Sequence, residues 1–224
     1  MDKKVIKIAN CSGYYGDKLS AAKELVDGGP IDVLTGDYLA ELTMAILYGQ
    51  RIQRGDDKGY VGTFLKQIKE VAASCKEKKI KIVSNAGGLN PKSMAGEIEK
   101  ILDELSIDLK VAYIDGDDLI PRISELKKNG EEFSNIEKNI SLDESGCEPL
   151  TANAYLGAWG IKEALDNGAD IIVCPRVTDA ALVIGPAAWK FKWNRNNYDA
   201  LAGALAAGHI LSLIHISEPT RQVL

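Results

Sequence analysis

Five short loops, each following an apolar run, hold most of the residues in this sequence that could do chemistry. Asp37, Asp115, Asp117, Asp118 and Asp179 all stand just past such runs. Carboxylates brought together can hold a divalent cation through hard oxygen ligands, or one of them can take a raised pKa and act as general acid or base. On that reading Asp115 and Asp117 are the metal candidates, and Asp37 and Asp118 the proton-transfer candidates. A lone aspartate in such a place is equally an ordinary helix N-cap, so convergence is what would carry chemistry. Arg176 lies in the same set of loops, where its planar fork could clamp a carboxylate or phosphate, or pair internally with Asp179 or Asp37.

Two of the loops are rich in glycine. In Asn85-Ala86-Gly87-Gly88-Leu89-Asn90-Pro91 two successive glycine N–H groups, flanked by the amides of Asn85 and Asn90, could stabilise an oxyanion or enolate. The same residues also make an Asx turn capped by proline. In Asn10-Cys11-Ser12-Gly13-Tyr14-Tyr15-Gly16-Asp17, Gly13 and Gly16 let the backbone come close to a ligand, with Asn10, Ser12 and Tyr14 as further contacts and a helix start beyond them that could face an anion. The spacing is neither GxGxxG nor GxxxxGK[ST], which weakens nucleotide-dependent redox chemistry. Only His209 and His215 could supply imidazole, and Cys11, Cys75, Cys147 and Cys174 form no CxxC pair. Buried free thiols are the expectation for the cysteines, and core packing for Trp159, Trp189 and Trp193.

The elements that must position these loops alternate. Apolar β-branched runs at 5–9, 31–35, 80–84, 109–114 and 170–174 predict five strands. Helical spacing predicts helices over about 18–26, from 36 onward, 62–78, 92–105, 119–129, 152–167, 179–189 and 199–207, with an exposed polar loop over 49–59. Periodicity fails over 130–150, which reads as an insertion or lid. Strands alternating with helices predict an α/β fold: an open, doubly wound, Rossmann-like and mostly parallel sheet with helices on both faces. In such sheets the ligand lies at the carboxyl ends of the strands, which are the places these loops occupy.

Composition narrows the function classes. The 224 residues are 46% apolar and 26% charged, with 27 Lys and Arg against 32 Asp and Glu and a net charge of −5. No global basic field exists for nucleic acid or anionic lipid. No apolar run reaches the roughly 20 residues of a membrane span, and Met1-Asp2-Lys3-Lys4-Val5 lacks a secretory apolar stretch. The expectation is a soluble, cytoplasmic homo-oligomer whose partner is a small-molecule acyl or acid substrate rather than nucleic acid or a membrane.

Taken in order, the loops resemble one family. Asn10–Asp17, Leu34-Thr35-Gly36-Asp37-Tyr38-Leu39-Ala40-Glu41-Leu42-Thr43-Met44, Asn85–Pro91, Gly116-Asp117-Asp118-Leu119, Asn153-Ala154-Tyr155-Leu156-Gly157-Ala158, Arg176-Val177-Thr178-Asp179 and Ala207-Gly208-His209 resemble the acyclic terpene utilisation protein family (AtuA-like) over about residues 4–210. The resemblance implies breakdown of branched acyl-CoA intermediates of the citronellol and geraniol type, by C–C lyase or hydratase chemistry on a coenzyme A thioester. The chemistry of the loop residues themselves makes Asp37, Asp118, Arg176 and Asn85 the catalytic candidates, and Asn10, Ser12, Gly13, Tyr14, Gly16, Gly87, Gly88, Asn90, Asn153 and Asp179 the substrate-binding candidates. The alternative is a non-catalytic subunit that holds a small acid or nucleotide. Pro175 departs from the glycine expected before the arginine. Ser212 to Arg221 resembles translated sequencing-adapter sequence, so the expected organisation is an α/β domain over 1–210, truncated, with a non-native tail over 211–224.

Overall fold

The computed structural model describes residues 5–213. Five short strands, β1 (Ile8–Asn10), β2 (Val33–Gly36), β3 (Lys81–Ser84), β4 (Val111–Tyr113) and β5 (Ile171–Val173), pair in parallel in the order β1-β2-β3-β5-β4. β2 and β5 are buried along their whole length, which is why they read as unbroken apolar runs: helices cover both faces of the sheet. The two faces divide neighbouring residues. Ile82 and Ile171 point into one core with Phe64, Ile68, Met94 and Ile98, whereas Val83 and Ile172 point into the other with Ile161 and Leu182.

The first core packs α1 (Ala21–Gly28), α3 (Gly62–Lys78) and α4 (Pro91–Glu104); the second packs α7 (Trp159–Asp166) and α8 (Ala181–Phe191). α9 (Tyr198–Leu213) lies on α8 and the edge strand β1. β1 to β4 therefore advance across the sheet under one layer of helices, and β5 turns back to insert between β3 and β4. The loop after β3 goes to one face and the loop after β5 to the other, so a crevice opens at their carboxyl ends. The strand order differs from that of dinucleotide-binding folds, where the first strand is central.

Two of the expected element boundaries change. α2 (Glu41–Arg54) runs into the segment expected as a loop, because Leu47 is fully buried against the β3 loop and anchors the helix past Gly49. It ends at Gly55, whose φ of 112° only glycine adopts readily. Residues 152–156, expected as the start of a helix, are extended, and the helix begins only after Ala158. Leu119 and Ala154 bond in register with Ala152 and Asp117 at 2.7 Å, while Leu156 exchanges hydrogen bonds with Arg176 and Thr178. These cross-loop bonds outweigh local helical preference. Segment 130–150 is irregular, with α5 (Ile123–Lys128) before it and the single turn α6 (Leu142–Ser145), closed by a Ser141–Glu144 capping box. Among the described residues no helix is long and apolar enough to cross a membrane. His215 and the rest of the expected tail beyond residue 213 lie outside the described residues.

Candidate functional site

At the carboxyl end of β2 the chain turns so that the Asp37 N–H donates to Ser12 O at 3.0 Å. The Asp37 side chain is turned inward and is only 5% exposed. Asn85, from the loop after β3 and fully buried, donates its Nδ2 to Asp37 Oδ1 at 2.6 Å and accepts the Tyr38 N–H at 2.8 Å. This pair ties the ends of two neighbouring strands together. The Ser212 hydroxyl donates to Asp37 Oδ2 at 2.6 Å, from the stretch that resembles adapter sequence. Burial pushes the Asp37 carboxyl above its ordinary range and repulsion from Asp179 adds to this, while Ser212, Asn85 and the Arg176 charge pull it back.

Asn10 and Ser12 complete the inner wall. Asn10 donates to Ser12 O at 2.8 Å and accepts from the Thr35 hydroxyl at 3.1 Å, and the Ser12 hydroxyl donates to Tyr14 O at 2.8 Å. Asn10, Thr35, Asp37 and Asp179 border a space of about 10 Å³, enough for one water, which Gly208, Leu211 and Ser212 of α9 close over. α9 can come this near because residue 208 is glycine: a Cβ there would lie 2.8 Å from Ala180.

A second cluster sits at the ends of β4 and β5. Asp117 is 4% exposed, and its Oδ2 accepts from Asn153 Nδ2 at 2.8 Å and from the Arg176 N–H at 3.2 Å; burial pushes its carboxyl upward as well. The Arg176 guanidinium donates to Leu39 O, to the Tyr155 hydroxyl at 2.8 Å and to Glu41 Oε1 at 3.3 Å, and it stacks 4.3 Å from the Tyr155 ring. Its ion pair is with Glu41 rather than with Asp179 or Asp37. Because the Glu41 side chain is 82% exposed, that pair adds little stability, and the backbone and tyrosine bonds do the anchoring. Arg176 thus joins the β5 loop to the start of α2, and its NH1 and NH2 groups are already engaged within the protein.

Several expectations are corrected by these partners. The Gly87 N–H donates to Cys174 O at 3.1 Å and the Gly88 N–H to Asn85 O at 3.2 Å, so neither is free for an oxyanion. The glycines serve close packing: a Cβ on Gly88 would stand 2.8 Å from Gly59 O, at a φ of 54°. Asn90 caps α4, accepting from the Ser93 N–H at 3.2 Å. In the first loop the Gly13 N–H is taken by Asp17 at 3.0 Å, Gly16 supplies a φ of 106°, and Tyr14 is exposed. Asp115 is exposed, and no group of three or more His, Cys, Asp or Glu side chains among the described residues could hold a metal. Asp118 is exposed and accepts the Ile120 N–H at 2.9 Å; it lines a separate cleft of about 360 Å³ with Arg51, Asp56 and Glu148.

The structure thus groups Asn10, Asp37, Asn85 and Asp179 in one place and Asp117, Asn153 and Arg176 in another. Thr35, Glu41 and Tyr155 join them without having been singled out. The only trace of all three in the sequence is their place in the ordered loop segments.

The cysteines provide a direct check of this packing. Cys11, Cys75 and Cys174 are buried and burial pushes all three thiols up, Cys11 and Cys75 to about 12, while Cys147 is exposed. Thiolate being the reactive form, an alkylating reagent at pH 8 is expected to modify Cys147 alone in the native protein and the other three only after unfolding. Peptide mapping that found Cys11 or Cys174 modified at the same rate would contradict the closed carboxyl edge.

A parallel sheet covered on both faces, with buried polar residues gathered at its carboxyl edge, defines an α/β protein of the open-sheet kind, and that edge is the candidate site. The sequence matches, over residues 6–212, the family described as acyclic terpene utilisation family protein AtuA. The chain belongs to that family. No curated protein and no solved structure matches it.

Proposed function

We propose that the protein acts on a coenzyme A thioester of a branched acid, in lyase or hydratase chemistry, with Asp37 as the group that takes and returns the proton. The observation that carries this reading is the buried Asp37–Asn85 pair at the carboxyl edge. General acid–base catalysis is most effective when the group's pKa lies near the working pH, and burial moves a carboxyl in that direction. Asn85 holds one oxygen and leaves proton exchange to Oδ2. That oxygen faces the small space under α9, so substrate reaches it where Leu211 and Ser212 now sit. Asp117 and Arg176 act at one remove, bracing the β5 loop against α2. The family's association with acyclic terpenes supports a branched acyl substrate.

A second reading, a module that holds a small acid or nucleotide without turnover, draws support from the loop after β3. Its glycine N–H groups are all engaged inside the protein, so the backbone offers no ready oxyanion hole. Calorimetry and turnover assays with a panel of straight and branched acyl-CoA esters, on this chain and on a longer family member with the same residues, separate the two. Product formation with branched esters is expected. Binding without product would favour the module, and no binding of any ester would overturn the acyl-CoA reading.

A further inference from the structure

α2 lies across the carboxyl edge and divides it into two clefts of opposite charge. On one side is the cleft of Asp118, with Asp56 and Glu148 against Arg51. On the other, an open cleft of about 360 Å³ is lined by Tyr15, Gln50, Arg54, Lys58, Tyr60 and Lys66, with no carboxylate among its walls. It belongs to the same edge as Asp37. Tyr15 is in the loop after β1, and the segment before α3 bonds to the loop after β3, Val61 N–H to Ala86 O and Leu89 N–H to Gly59 O, both at 2.8 Å.

Of the three cations here, two have no carboxylate to neutralise them among the described residues. Lys58 pairs with the neighbouring Asp57 at 2.5 Å, but Arg54 and Lys66 have no partner among the described residues. The first turn of α3 also opens into this cleft through Gly62 and Thr63, with no side-chain cap and no acidic residue to meet its positive end. Holding three cations beside a helix N-terminus is repulsive, and an anion relieves it. The cleft also offers one accessible ring. Tyr60 is buried, with the Lys58 ammonium 5.9 Å above its face, whereas Tyr15 is half-buried and accepts from Gln50 Nε2 at 3.1 Å, leaving its own proton to donate. Phosphate recognition needs the cations, and a planar base can lie against the Tyr15 ring.

We propose that the cleft between α2 and the start of α3 binds the phosphate-bearing end of a nucleotide, with Arg54 and Lys66 on its phosphate oxygens and Tyr15 beside its base. If the acyl-CoA reading holds, that end is the phosphorylated adenosine of the thioester, and this identification rests on that reading. A thioester would then be gripped in the basic cleft while its acyl end extends along the carboxyl edge toward Asp37.

Calorimetry on the 224-residue chain with coenzyme A, its 3′-dephospho form, ADP, pantetheine and inorganic phosphate tests the proposal. Coenzyme A and ADP are expected to bind and pantetheine not to. Arg54→Ala and Lys66→Ala should each weaken coenzyme A binding about tenfold, as loss of one charged hydrogen bond implies, and binding should weaken further with added salt. Both side chains are exposed, so melting temperatures should not move, and Arg51→Ala across α2 should bind normally. Full affinity in the Arg54/Lys66 double variant, or no binding of any nucleotide, would overturn the proposal, and inorganic phosphate binding as tightly as ADP would overturn its nucleotide part. Nucleotide binding through Arg54 and Lys66 without acyl-CoA turnover keeps the cleft and discards the acyl-CoA reading. Turnover with an unchanged KM in the double variant does the reverse.

Discussion

Gly87→Ala is expected to lower the unfolding free energy by about 3 kcal/mol, at the upper end of what overpacking costs. The added Cβ would stand 2.6 Å from Cys174 O, 2.7 Å from Pro91 Cβ and 2.9 Å from Pro91 Cα. Two of these are backbone atoms and the third belongs to a ring that begins α4, so no flexible side chain can give way. Relief requires the loops after β3 and β5 to separate, which lengthens the 3.1 Å bond from Gly87 N–H to Cys174 O. That bond spans the crevice where the strand order reverses, and Asn85 sits two residues before it. The substitution should therefore shift the urea midpoint and also displace Asn85 from Asp37. A stability loss below about 1 kcal/mol would mean that the two loops are not held as closely as the contacts require.

Asp37→Asn is expected to do two opposite things: raise stability at neutral pH and lower turnover of an acyl-CoA substrate by about a hundredfold or more. The sign of the first effect follows from the direction of the pKa shift. The folded protein holds a proton on Asp37 more readily than the unfolded chain does, whose carboxyl titrates near the ordinary 3.8. The favourable contribution of this group is therefore fully present below that value and is lost as pH rises through the raised folded pKa. At neutral pH the buried carboxyl burdens the fold, and a neutral amide of the same shape does not carry that cost. The advantage of the Asn variant should shrink as the pH is lowered and vanish below about 3.8. Asp117 shifts in the same direction and adds to the acid side of the wild-type profile in both proteins. Asp37→Ala should instead be less stable than wild type by about 1–3 kcal/mol, because the buried Asn85 Nδ2 is left without an acceptor. Melting curves across pH check the order Asn above wild type above Ala at pH 7. An Asn variant with full turnover would remove Asp37 from the chemistry.

Much of the framework was legible in residue order. α3 could be bounded at Gly62 and Lys78 because Phe64, Ile68, Val71, Ala72 and Cys75 recur at helical spacing on its buried side. The five strands could be found because the buried strands of a sheet covered on both faces leave runs such as Ile171-Ile172-Val173. The ligand edge followed from the alternation of strand and helix. The misread stretches were those governed by partners far away in sequence: residues 152–156 are extended by the loops after β4 and β5, and α2 continues past Gly49 because Leu47 packs under the β3 loop.

The site divides the same way. Residue types and local periodicity determined by themselves that Asp37, Asn85, Asp117, Arg176 and Asp179 stand at the strand ends, since a strand's carboxyl end is a local property of the chain. Which of them meet was decided by tertiary structure alone. The bond from Asn85 to Asp37 spans 48 residues in sequence, and the bond from Arg176 to Glu41 spans 135. Such partners are set by the strand order and by α2 crossing the edge. The spent N–H groups of Gly87 and Gly88, and the charges of Arg54 and Lys66 that have no partner among the described residues, depend on the same arrangement, because hydrogen bonds and ion pairs act over a few ångströms and only the folded chain brings those atoms within reach.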